Sequence, residues 1–173
     1  MAFVRGFNTR GPLSLAALTN ELGDGIVALS LEEALNADIV ILAIPFGAHR
    51  DIAGKIANWN DKIVIDAMNT YGVSLEELGG QASTDVIASA FVGAKVVKTF
   101  NQLPAALLAK DPRQDGGRRV MFVWGRDQAA TTSVTHLVDQ LGFAPISLGM
   151  IDEGGKLLGL GGPLILQNIV KHQ

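Results

Sequence analysis

Asp38-Ile39-Val40-Ile41-Leu42-Ala43-Ile44, stopped by Pro45, is the stretch on which the reading of this chain turns. Its apolar run, Ile39–Ile44, is short, rich in β-branched residues and free of polar alternation. That pattern predicts a strand covered on both faces, and such strands belong to parallel sheets. Upstream, Ser30-Leu31-Glu32-Glu33 is a capping box that opens a short helix to Asn36. Before it come a minimal strand at Ile26–Leu29 and the breaker Gly23-Asp24-Gly25. A helix over Leu13–Leu22 carries Leu15, Leu18 and Leu22 at helical spacing, with Pro12 in its first turn. Ala2–Phe7 reads as a strand interrupted by Gly6.

Downstream the alternation continues. Ile52, Ile56 and Trp59 predict a helix, Lys62–Ala67 a strand, and Thr84 caps a helix presenting Val86, Ile87, Ala90 and Phe91. Lys95–Phe100 and Arg119–Trp124 are further strands, separated by a polar, exposed loop at Asp111–Arg118. Asp127 caps a helix with Ala130, Val134, Leu137, Val138 and Leu141 on one face. Phe143–Leu148 is the last expected strand, and Gly161-Gly162-Pro163 introduces an apolar terminal helix, Leu164–Val170. Strand and helix alternating every 20 to 28 residues or so predict an α/β, doubly wound, mostly parallel sheet. No linker or repeat interrupts residues 1–173, so one domain is expected. In such sheets ligands sit beyond the carboxyl ends of the strands, where polar turns follow.

Composition narrows the function. The 173 residues are 48% hydrophobic and 18% charged, with a net charge of -3, which excludes a disordered chain. The mild acidity leaves no footprint for nucleic acid or anionic membrane. No apolar run approaches the roughly 18 to 20 residues that cross a bilayer. The start, Met1 to Gly6, carries no apolar stretch of signal-peptide length, so the cytoplasm is the expected location. The absence of cysteine removes disulfides, thiolate nucleophiles and Cys-ligated metals. His49, His136 and His172 lack metal-ligand spacing, and no Gly-x-Ser-x-Gly, P-loop or EF-hand pattern occurs. No residue stands out as an acid, base or nucleophile.

The strand-end turns remain. Asn8-Thr9-Arg10-Gly11, between a strand and a helix start, offers a hydroxyl, a guanidinium and backbone N–H groups to a phosphate monoester. Thr-Arg in place of an acidic residue favours a 2′-phosphate over a free ribose hydroxyl; an ordinary turn with an exposed Arg is the alternative. Phe46, expected to be exposed after Pro45, could line a ligand ring, or could be a core residue behind a helix-starting proline. Asp66 and Asn69 follow one strand, Asp66 reading as a cap of the next turn or as a lone carboxylate. Lys98-Thr99-Phe100-Asn101 follow another, Lys98 reading as a donor or as a solvent-directed strand residue.

Taken in order, these segments resemble the deazaflavin-dependent NADP reductases and related NADPH-dependent reductases. Phe7-Asn8-Thr9-Arg10-Gly11-Pro12 resembles the family's turn after its second strand. Ile41-Leu42-Ala43-Ile44-Pro45-Phe46 and Asp66-Ala67-Met68-Asn69 are similar to its next strand-and-loop pieces, and Val96–Ala106 to the segment near the hydride-transfer site. Phe122–Asp127, Leu141-Gly142-Phe143 and Gly162-Pro163-Leu164 follow in the family's order. The resemblance implies a Rossmann-like fold and an NADP(H)-dependent oxidoreductase whose co-substrate is a deazaflavin, a flavin or another small acceptor. It implies that Asn8, Thr9 and Arg10 hold the 2′-phosphate, that Ile44, Pro45, Phe46, Asn69 and Ala105 line the cofactor, and that Thr99, Phe100 and Asn101 face the acceptor. A homodimer is expected.

One departure is large. The family opens on a strand, a G-x-G-x-x-G turn and a helix, and this chain starts where the second strand would be. About one βα unit of the Rossmann pattern is therefore expected to be missing. The strands flanking the gap would pair directly or accept a strand from a partner, because unpaired backbone in a core is costly. A non-catalytic binding or dimerisation module and a shortened copy of an intact enzyme are the alternatives.

Overall fold

The computed structural model describes residues 4–6, 12–23, 25–149 and 154–172. The chain divides into two compact units, Met1–Val40 and Ile41–Gln173.

In the first unit, β1 (Val4–Gly6) and β2 (Ile26–Ala28) pair in parallel, Val4 opposite Ile26. Between them a 3-10 turn at Pro12–Leu15 leads into α1 (Ala16–Leu22), as the proline predicts. None of the residues of α1 is buried, and Leu18 and Leu22 are exposed. The helical spacing is therefore real, but its leucines reach no core. α2 (Leu31–Ala34) carries the full capping box: Ser30 N–H and hydroxyl donate to Glu33 Oε2, and Glu33 N–H donates to Ser30 Oγ.

β3 (Ile39–Leu42) falls at the division between the units. It heads a seven-stranded sheet ordered β3, β4 (Ile63–Asp66), β5 (Lys95–Lys98), β7 (Gly117–Gly125) and β6 (Arg113–Gln114). β8 (Ala144–Ser147) and β9 (Val170–His172) also pair with β7. β4 with β5 and β7 with β8 are parallel, whereas β5, β6 and β9 run antiparallel to β7. The sheet is the mixed, mostly parallel layer of a Rossmann-like α/β fold.

Several expectations are corrected. β3 alternates: Val40 and Leu42 are buried, while Ile39 and Ile41 are exposed. The face that carries Ile39 and Ile41 is left partly uncovered, so the apolar run does not mark a strand covered on both faces. β1 and β2 pair only with each other among the described residues of their unit. The polar segment Asp111–Arg118 is not a plain loop, because Asp115 and Gly116 adopt positive φ of 50° and 74° and turn a β6–β7 hairpin. Residues 164–170 form no helix. They run through turns into β9, which lies on β7 with Arg119 opposite Val170.

β7 organises the core because its two faces both find partners. Met121 and Val123 pack with Ile65, Val97 and Phe143 beneath α6 (Gln128–Gln140), which contributes Ala130, Val134 and Val138. α6 is capped as expected, Ala130 N–H donating to Asp127 Oδ1. On the other face Val120, Phe122 and Trp124 pack with Ala144 and Leu158. There α7 (Gly154–Leu157) brings two glycines against the Trp124 indole, where any Cβ on Gly154 would overlap the ring.

One stretch of β7 is closed by a side chain. Gln102, 1% exposed, donates from Nε2 to the carbonyls of Val120 and Gln167 and accepts from Phe122 N–H. Its amide thus supplies the hydrogen bonds of a strand between β5 and β9.

Candidate functional site

A cavity of about 790 Å³ opens where β3, β4 and β5 end, lined by Ala43, Ala67, Asn69, Phe100, Asn101, Leu103 and Ala105. Ile41, Leu108, Ala109, Lys110, Asp111, Pro112, Arg113, Leu141 and Phe143 complete the wall. Its size suits a small organic ligand, and its position follows from parallel strands delivering their loops to one side. Apolar side chains make up much of the wall, joined by the amides of Asn69 and Asn101 and by the charged Lys110, Asp111 and Arg113.

Those amides are locked. Asn69 Nδ2 donates to the Asn101 carbonyl at 2.9 Å, and Asn101 Nδ2 donates to Asn69 Oδ1 at 3.2 Å and to the Leu158 carbonyl at 2.6 Å. Both Nδ2 protons of Asn101 are spent, which fixes the orientation of its amide. Asn101 Oδ1 is buried and has no partner, as is Thr99 Oγ1. A buried acceptor without a donor is costly, and in native structures it marks a place worth explaining. Phe100, between them, takes φ of 62°, a left-handed conformation rarely adopted by a bulky residue and one that clusters at ligand sites. Its ring meets Phe143 edge-on, with centroids 6.4 Å apart.

A buried ion pair holds this wall. Lys98 and Asp66 stand opposite each other at the ends of β5 and β4. Lys98 Nζ donates to Asp66 Oδ2 at 2.9 Å and to the Met68 carbonyl at 3.1 Å. Thr84, in α4 (Ser83–Ala90), donates its hydroxyl to Asp66 Oδ2, and Met68 N–H donates to Asp66 Oδ1. Asp66 therefore caps the turn that leads to Asn69, as one of its two readings held. Of the two readings of Lys98 the donor holds, its side chain being 1% exposed, whereas Thr84 spends its hydroxyl on Asp66 instead of capping α4. No spacing rule pairs residues 32 apart, so only the parallel register of β4 and β5 reveals the couple.

The structure gathers some of the expected site residues and not others. Asn69, Phe100, Asn101 and Ala105 share the cavity. Thr99 is fully buried and is absent from the lining. Phe46 is 7% exposed rather than open at the strand end: Pro45 starts a 3-10 turn, and the Phe46 ring packs on His49, whose Nδ1 meets the Phe46 carbonyl. Ile44 and Pro45 follow Ala43 but do not line the cavity. Asn8, Thr9 and Arg10 lie outside the described residues. Leu103, Leu108, Leu141 and Phe143 were not assigned to the site from the sequence, although Leu103, Leu141 and Phe143 lie in segments that carry the family resemblance. Among the described residues no group of His, Asp and Glu could hold a metal, and no helix is long and apolar enough to cross a membrane.

Comparison with known proteins gives concordant matches. Residues 2–70 match the family described as NADP oxidoreductase coenzyme F420-dependent. Metalloreductase STEAP3 of Rattus norvegicus is 31% identical over 122 residues, 69% of this chain and 24% of that protein, so the chain spans about a quarter of that curated relative. A hypothetical protein of Sinorhizobium meliloti superposes with a TM-score of 0.91 at 40% identity, covering 98% of this chain and 84% of the other. A proposed F420-dependent NADP-reductase of an Arthrobacter species gives 0.70 at 26% identity, covering 87% of this chain and 76% of the other.

Proposed function

We propose that the chain, whose residues 2–70 match the family described as NADP oxidoreductase coenzyme F420-dependent, binds NADP(H) and passes hydride between the nicotinamide and a deazaflavin, a flavin or another small acceptor. The observation that carries the reading is the strand-end cavity, with apolar side chains for a flat ring and a locked pair of amides beside it. The dinucleotide supplies the transferable hydride; the protein's part is to hold two rings face to face in a site shielded from water. That task needs no acid or base, and the apolar side chains and paired amides of the cavity suit it.

Asn69, Phe100, Asn101 and Ala105 are the residues assigned to contact the ligand rings. Phe46 and Thr99, both buried, support the loops behind them. Ile44 and Pro45 shape the turn after β3. Asn8, Thr9 and Arg10 are assigned to the 2′-phosphate on chemistry alone, a guanidinium and a hydroxyl being suited to a phosphate monoester. The reading includes a homodimeric protein of the cytoplasm acting on a small molecule.

Isothermal titration with NADPH and NADH tests this. The expected result is NADPH binding in the micromolar range, NADH weaker by about tenfold or more, and loss of the preference in Arg10→Ala, a change worth roughly one charge-assisted contact. Absence of measurable binding by either dinucleotide would overturn the proposal.

A further inference from the structure

We propose a second binding site, for a phosphate-type anion, in a groove formed by β6, β7 and β9. The strand register places Arg113 opposite Arg118, and Arg118 opposite Lys171. Directly opposed residues on neighbouring strands project from the same face about 5 Å apart, and like charges so placed repel. This sheet sets three cations abreast. Asp139 of α6 relieves only one of them, its Oδ1 lying 2.7 Å from Arg118 Nη1, and both side chains of that pair are about half exposed. Among the described residues Arg113 and Lys171 have no carboxylate partner.

The row borders a groove of about 730 Å³, lined also by the Asp115-Gly116-Gly117 turn. Gly116, in that turn, has open space where a Cβ would stand. Asp115 is the one acid in the lining, against Arg113, Arg118, Lys171 and His172. Two arginine forks and an ammonium side by side suit a multiply charged oxyanion, which removes the repulsion among them.

Arg113 also lines the cavity described above. The same phosphate chemistry could thus arrive as a free anion or as a phosphate carried by a molecule whose ring sits in that cavity. The site itself does not depend on the NADP(H) reading.

The test uses the full chain at low ionic strength, where such contacts are least screened. Inorganic pyrophosphate is titrated calorimetrically, and FMN is compared with riboflavin, its phosphate-free counterpart. Saturable pyrophosphate binding that weakens about tenfold in each of Arg113→Gln and Lys171→Gln supports a free-anion site. FMN binding better than riboflavin, with the advantage lost in the same variants, supports a tethered phosphate. Because both side chains are exposed, the variants are expected to fold. Without anion, Lys171→Gln should melt no lower than the parent, and added pyrophosphate should raise the melting temperature of the parent alone. If neither pyrophosphate binding nor the FMN advantage is seen, or if both survive the substitutions, the proposal is wrong.

Discussion

Replacing Lys98 by methionine removes a cation from the chain's most enclosed ion pair and leaves Asp66 behind. Asp66 is fully buried, and its remaining donors would be the Thr84 hydroxyl and Met68 N–H, both uncharged. Breaking a buried pair from one side costs about 3–5 kcal/mol, because an uncompensated charge stays in the core. The Met68 carbonyl loses its donor as well. For a chain of this length, a few °C per kcal/mol translates that loss into a fall in Tm of about 10 °C. Urea denaturation followed by circular dichroism should give the same free energy from the shift in midpoint. The double variant Asp66→Leu with Lys98→Met removes both charges, and should recover at least about 2 kcal/mol relative to the sum of the singles. The reasoning fails if Lys98→Met costs less than about 1 kcal/mol, or if the singles add up to the double, since either result means that the charges do not depend on each other.

Three further outcomes are expected. Asn101 Oδ1 has no donor, so the 3-acetylpyridine analogue of NADPH, which replaces the carboxamide NH₂ by a methyl group, should bind about tenfold more weakly than NADPH by calorimetry. Equal binding of the two would remove Asn101 from ring recognition. Gly154→Ala drives a methyl group into the Trp124 indole, which is 2% exposed and cannot swing away; overpacking of this kind should cost about 1–3 kcal/mol in thermal unfolding, accompanied by a change in the near-ultraviolet tryptophan signal. Glu33 is held below the ordinary glutamate range by the Ser30 hydroxyl and then the Ser30 N–H. With a folded value lower than the unfolded one, its stabilisation is complete above the unfolded carboxyl range and disappears as pH falls through the folded value. An NMR titration should therefore show Glu33 ionising at lower pH than a free glutamate, and Ser30→Ala, which removes the hydroxyl but keeps the N–H, should move it part of the way back.

What was legible in the sequence was what depends on neighbours along the chain. The capping box at Ser30 and Glu33, the Asp127 cap and the stripe on α6 each rest on a spacing of a few residues, and each stands as read. What depends on partners across the sheet was not. Ile39–Ile44 looks the same whether or not the strand has neighbours on both sides, so its place at the head of the sheet could not be read. Lys98 meets Asp66 only once β4 and β5 pair in register. The segment 164–170 is apolar enough for a helix, but β7 still had an open edge near Arg119, and pairing with β9 fills it. The candidate site was half legible: of the residues lining the cavity, Asn69, Phe100 and Asn101 could be singled out because they follow strands, and Ala105 through the family resemblance alone. Phe46, which also follows a strand, turns into the core because Pro45 starts a tight turn there.

Asn101 and Gln102 are adjacent, and together they reach into the last part of the chain three times. Asn101 Nδ2 holds the Leu158 carbonyl, Gln102 Nε2 holds the Gln167 carbonyl, and Leu166 N–H donates to the Gln102 carbonyl. One of these residues lines the cavity while the other completes the β7 ladder. The wall of the cavity and the terminal strand therefore belong to one opening unit, because neither can detach without breaking bonds held by the same dipeptide. In hydrogen exchange, the amides of Phe122, Leu166 and Val170–His172 should open with a shared free energy, and a ligand that steadies Asn101 should slow exchange all the way to β9.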